Sequence, residues 1–180
     1  MISTDIKKIL ISEKQIDERC KELAKELTLA YHDKNPIMLS LLKGSVYFTT
    51  YLTKYLDFPL EFDFMKPSSY VGTSSTGNVE IQMKPLSDLK DRHVLIIEDI
   101  IDSGTTLKKI KELLISDYHP KSVKIVTLLD KKEMRKVDID PDYTGFIIPN
   151  EFVVGFGLDF NEQYRNLPYI GVIKEECYQK

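Results

Sequence analysis

An α/β fold built on a mainly parallel sheet is the class this sequence predicts, and three observations carry the prediction. Short apolar runs at residues 37–42, 94–97 and 123–129, the second of them rich in β-branched residues, read as buried strands. Helix-like stretches at residues 46–56 and 107–115 separate them. Strand and helix therefore alternate across residues 37–129, the pattern of a central sheet flanked by helices on both faces.

The elements follow in order. Ser12-Glu13-Lys14-Gln15 is a capping box that opens a first helix. Ile16, Cys20, Leu23 and Leu27 then fall on one apolar stripe, and the helix should end near His32 to Pro36. The run at 37–42 stops at Lys43-Gly44-Ser45, and the helix at 46–56 follows; its apolar and aromatic residues suit either core packing or an interface between subunits. Residues 60–66 alternate Leu60, Phe62 and Phe64 against Glu61 and Asp63, which predicts a half-buried strand with the aromatic residues inward. Residues 67–78 are rich in Ser, Thr and Gly and cannot bury a core; they read as a mobile lid or as a solvated hairpin turn. Val79, Ile81 and Met83 alternate again, so this loop should join two antiparallel strands. Further short strands are expected at 146–148 and 170–173.

A chain of 180 residues is long enough to bury roughly 70% of its unfolded surface, and a single domain spanning residues 1–180 is expected. No internal repeat or linker interrupts it. A net charge of −3 gives no electrostatic case for a nucleic-acid partner. No apolar stretch approaches the ~20 residues of a membrane span, and residues 1–10 lack the apolar core of a signal peptide. Cys20 and Cys177 are far apart and fit no metal-ligand spacing; they read as reduced thiols of a cytoplasmic protein.

The segment richest in chemistry is His-Val-Leu-Ile-Ile-Glu-Asp-Ile-Ile-Asp-Ser-Gly-Thr-Thr, residues 93–106. Its apolar run ends in adjacent carboxylates, Glu98 and Asp99, where open α/β sheets bind ligands. Asp102 follows, and Ser103-Gly104-Thr105-Thr106 then opens a helix whose N–H groups and hydroxyls can converge on a phosphate. Carboxylates beside a phosphate cradle imply a ligand that also carries hydroxyls or a divalent metal, and a sugar phosphate meets both conditions. The loop has no Gly-Lys-Ser/Thr, which sets aside a Walker A site, and the chain has no GxGxxG fingerprint.

This segment resembles the signature of the type I phosphoribosyltransferases. Over about residues 10–175 the chain is similar to the hypoxanthine and hypoxanthine-guanine branch of that family. Three further blocks carry the likeness: Leu41-Leu42-Lys43-Gly44-Ser45, Ser68-Ser69-Tyr70 with its Gly/Ser/Thr run, and Phe152 to Glu162 with Arg165 close behind. Thr105 and Val71 occupy variable places. The resemblance implies the type I phosphoribosyltransferase fold: a core of about residues 37–148, a small hood from the amino-terminal segment and about 149–180, and a lid at 67–78. It implies a homodimer or homotetramer, no membrane partner, and Mg2+ as cofactor.

It also implies transfer of ribosyl 5-phosphate from phosphoribosyl pyrophosphate to N9 of hypoxanthine or guanine. In that scheme Lys43, Gly44 and Arg165 receive pyrophosphate, and Asp159, with Glu98 and Asp99, holds magnesium. Glu98 and Asp99 also accept the ribose hydroxyls; the less favoured alternative is that both acids are dipole partners of the following helix. Asp102 is the candidate general base at purine N7; its alternative is a helix N-cap. Ser103, Gly104, Thr105 and Thr106 hold the 5-phosphate. Lys131 donates to purine O6, Phe152 stacks on the base and Val153 offers backbone groups to its edge, beside Asp159. The plain alternatives are a solvated lysine and a core phenylalanine. Ser69 and Tyr70 belong to the lid that closes over the reacting sugar. A transferase for xanthine would share the whole phosphate half of the site. A regulator that only senses the donor or binds RNA is disfavoured by the charge and by an intact Asp102.

Overall fold

A computed structural model describes residues 2–67 and 81–178. Six strands form the central sheet in the order β4-β3-β2-β5-β6-β7. They are β2 (Ile37–Leu41), β3 (Glu61–Pro67), β4 (Ile81–Met83), β5 (His93–Ile101), β6 (Ser122–Asp130) and β7 (Tyr143–Ile147). The strands β3, β2, β5, β6 and β7 run parallel, and β4 adds an antiparallel edge to β3. The second sheet is antiparallel, in the order β1-β9-β8, and joins β1 (Ile6–Ile11) to β8 (Val153–Val154) and β9 (Ile170–Ile173).

Helix α1 (Glu13–Tyr31) starts where the capping box requires. Ser12 Oγ accepts from the Gln15 N–H, and the Gln15 side chain accepts from the Ser12 N–H at 2.9 Å. Its buried stripe, Ile16, Cys20, Leu23 and Leu27, packs with α2 (Val46–Thr53) on one face of the sheet, against Met38, Leu95 and Ile97. Ile37, Leu39, Leu41, Val94 and Ile96 point to the other face and meet α3 (Thr105–Tyr118) through Leu107, Ile110 and Leu114. Burial on both faces is why these strands read as unbroken apolar runs.

Two expectations need correction. Helix α2 stops at Thr53, three residues short of the expected end, and tight turns to Leu52 and Thr53 carbonyls carry the chain through Tyr55 and Leu56. Strand β3 faces the opposite way from the alternation: Asp63 and Met65 are buried, whereas Phe62 and Phe64 are exposed. The inward Asp63 is satisfied by backbone, its Oδ2 accepting from the N–H groups of Leu86 and Ser87 at 2.8 and 2.7 Å. Helix α2 packs on β2 and β5.

Candidate active site

Because β2 and β5 are neighbours, the turns at their carboxyl ends lie side by side. Between them opens a cavity of about 610 Å³. Its walls include Lys43 and Gly44 after β2, and Glu98, Asp99, Asp102, Ser103, Gly104 and Thr106 at the end of β5. Asp159, Glu162 and Arg165 close it from the carboxyl-terminal segment. Three of the four sequence blocks therefore contribute residues to one volume.

The turn after β2 is built for close approach. The peptide before Lys43 is cis. Gly44 has no room for a side chain, since a Cβ there would fall 1.6 Å from Asp99 Oδ2. Behind it a buried hydroxyl chain ties strand to helix: Ser45 Oγ donates to the Leu41 carbonyl at 2.5 Å, and Thr49 Oγ1 donates to Ser40 Oγ at 2.9 Å. Gly157, at φ +99°, packs against the Gly44 carbonyl from the other side.

Glu98 and Asp99 lie inside the last stretch of β5, which continues to Ile101. Burial, followed by the charge of Asp99, raises the Glu98 pKa well above the usual carboxylate range. Burial also raises Asp99, against hydrogen bonds that include the Ile100 N–H at 2.8 Å and against the nearby Arg165 charge. Two acids whose ionised forms are disfavoured suit a ligand that brings hydroxyl donors or a cation. Their hard oxygens match magnesium in donor type. Among the described residues, however, no group of three or more acids, histidines or cysteines could hold a metal by itself.

Asp102 does not cap the next helix. Gly104 takes the N-cap position at φ +76°, where a Cβ would meet Ile139 Cγ2 at 2.6 Å. The Asp102 carboxylate is half exposed and lies 3.2 Å from Lys131 Nζ. Lys131 is itself 9% exposed, so it is not a solvated surface lysine. Ser103 Oγ accepts from the Thr105 N–H at 3.4 Å and shapes the loop. Thr106 lines the cavity, with Thr105 next to it in the loop.

Asp159 pairs with Arg165 at 2.8 Å and accepts from the Glu162 N–H at 2.9 Å. Glu162, given no role of its own from sequence, bridges the cationic groups: its carboxylate lies 2.9 Å from Lys43 Nζ and 3.3 Å from Arg165 Nη2. The three-residue spacing Asp159, Glu162, Arg165 was the available signal. Phe152 and Val153 are not on the cavity wall. Phe152 is 40% exposed and stacks on Tyr178, with ring centroids 4.8 Å apart. Val153 is buried and pairs with Val172 in the second sheet. Ser69 and Tyr70 lie outside the described residues.

A sugar-phosphate cradle beside paired acids, at the carboxyl ends of parallel strands, defines a class, and comparison with known proteins gives the same class. The phosphoribosyl transferase domain matches residues 10–161, and the chain belongs to that family. Within it, the chain is 53% identical over 179 residues to the hypoxanthine-guanine phosphoribosyltransferase of Streptococcus pneumoniae, covering 99% of each chain. It is 56% identical over 176 residues to the protein of the same name from Lactococcus lactis, covering 97% of this chain and 95% of that one. The crystal structure of a hypoxanthine phosphoribosyltransferase from Staphylococcus aureus superposes with a TM-score of 0.95 at 49% identity, over 99% of this chain and 97% of the other.

Proposed function

We propose that this chain is a purine-salvage transferase that moves the 5-phosphoribosyl group from phosphoribosyl pyrophosphate to N9 of hypoxanthine or guanine, releasing pyrophosphate. The observation that carries the reading is the convergence of the Ser103 to Thr106 loop, the Lys43-Gly44 turn and Arg165 around one cavity. The likeness to hypoxanthine-guanine relatives over nearly the whole chain supports the choice of base.

In this reading Ser103, Gly104, Thr105 and Thr106 hold the 5-phosphate at the amino end of α3. Glu98 and Asp99 accept the ribose hydroxyls. Lys43, backbone donors at Gly44 and the Arg165 guanidinium receive the pyrophosphate. Asp159, with Glu98 and Asp99, would hold Mg2+, which supplies charge neutralisation for the departing pyrophosphate.

Asp102 takes the purine proton at N7 while N9 attacks the anomeric carbon. Lys131 donates to O6, and its 3.2 Å approach to Asp102 supports a common target on one base. An O6 donor favours 6-oxopurines over adenine, whose amino group is itself a donor. Phe152 stacks on the base and Val153 presents backbone to its edge. Ser69 and Tyr70 close over the sugar and exclude water.

The same reading takes the chain as one unit, a core of residues 37–148 with a hood from the amino-terminal segment and 149–180; the β1-β9-β8 sheet supports it. It takes the assembly as a homodimer or homotetramer. Exposed Tyr47, Phe62 and Phe64 support an interface around residues 46–55. A cytoplasmic location is supported by the two unpaired thiols, and no helix among the described residues is long and apolar enough to cross a membrane.

The test is a steady-state assay with phosphoribosyl pyrophosphate, Mg2+ and each of hypoxanthine, guanine, xanthine and adenine. Turnover of hypoxanthine or guanine, with adenine inert, is the expected result. Turnover of adenine alone would overturn the O6 assignment. Inertness toward all four bases would overturn the proposed function.

A further inference from the structure

The run that follows β6 lies behind the phosphate loop and grips it at successive points. Asp130, 1% exposed, ends the strand and pairs through Oδ1 with Arg135 Nη2. Arg135 Nη1 donates to the Asp102 carbonyl at 2.7 Å. The next N–H in the chain, that of Lys136, donates to the Ser103 carbonyl at 3.0 Å. The Lys131 N–H donates to the Ile101 carbonyl, also at 3.0 Å. A Cβ on Gly104 would collide with Arg135 Cδ at 2.9 Å, so guanidinium stem and loop are in close contact.

The consequence is set by peptide geometry. In a planar trans peptide the N–H points opposite to the C=O of the same unit. A carbonyl of Asp102 drawn back onto Arg135 therefore turns the Ser103 N–H away from that guanidinium. A carbonyl of Ser103 drawn onto the Lys136 N–H turns the Gly104 N–H away in the same manner. Ser103 and Gly104 line the cavity, whereas Arg135 and Lys136 do not. Bonds to residues outside the cavity lining thus set which way the two N–H groups turn.

We infer that Arg135, held by Asp130, is a positioning residue that orients the Ser103 and Gly104 N–H donors toward the 5-phosphate. The inference rests on the proposed role of the loop and adds to it a residue that touches no substrate. Asp130 fixes the plane of the guanidinium, and a bidentate fork suits the task because it reaches a carboxylate and a carbonyl at once.

The experiment compares the intact chain with Arg135→Gln, Arg135→Lys and the double variant Asp130→Asn/Arg135→Gln. The double variant avoids leaving a buried carboxylate without its partner. Thermal unfolding establishes which variants are folded. Calorimetry then measures ribose 5-phosphate and pyrophosphate separately. The expected result for the folded double variant is a loss of about tenfold in ribose 5-phosphate affinity, the effect of misaligned charge-assisted donors. Pyrophosphate, received at Lys43, Gly44 and Arg165, should change by no more than about twofold. Arg135→Lys should recover part of the loss. A folded double variant that binds ribose 5-phosphate as the parent does would overturn the inference, as would an equal loss of both ligands. A parent chain that binds pyrophosphate but not ribose 5-phosphate would overturn the phosphate-loop reading, and the inference with it.

Discussion

Gly44 illustrates how single residues set this site. A methyl group there would occupy the place of Asp99 Oδ2, so Gly44→Ala has to displace a carboxylate rather than a core side chain. Such a displacement of functional groups by about 1 Å lowers turnover by about 10²-fold. Thermal stability should change little, because Asp99 can rotate into the cavity. Steady-state kinetics beside a melting curve checks both, and an active variant would show that Asp99 need not sit over the turn. The acids, the third acid and the Ser-Gly-Thr-Thr loop were legible because they are contiguous in sequence. Glu162 and Arg135 were not, because the partners that give them meaning, Lys43 and the Asp102 carbonyl, are remote in the chain.

At the scale of elements, strand β3 departs most from its pattern. Alternation read Phe62 and Phe64 as the inward face, and a lone buried aspartate is costly enough to make that reading reasonable. The backbone N–H groups of Leu86 and Ser87 reverse it by neutralising Asp63 from a segment beyond β4. Asp63→Ala removes the acceptor of three backbone N–H groups, those of Phe64, Leu86 and Ser87, which should destabilise the fold by about 2–3 kcal/mol. Urea unfolding measures it, and a change below about 0.5 kcal/mol would show that water replaces the carboxylate. Helix α1 was legible to its first residue, since a capping box is a local device.

Across the whole molecule, the central sheet was readable because strands buried on both faces appear as apolar runs separated by amphipathic helices. The β1-β9-β8 sheet was largely hidden. Strand β8 is two residues long, and β1 carries exposed Lys7, Lys8 and Ile9, so neither shows a clear period. Their pairing joins the two ends of the chain, a contact that no local pattern announces. The sheet pairs Val153 with Val172 and sets Phe152 beside Tyr178, and neither residue lines the main cavity.

In the proposed reaction one carboxylate, Asp102, handles the purine proton in a cavity where two turns hold the donor. Asp102→Asn keeps the size and the loop while removing the base. With hypoxanthine and saturating phosphoribosyl pyrophosphate, its kcat should fall by about 10²- to 10⁴-fold, with ribose 5-phosphate binding unchanged. An Asp102→Asn variant that turns over hypoxanthine as fast as the parent would contradict the account.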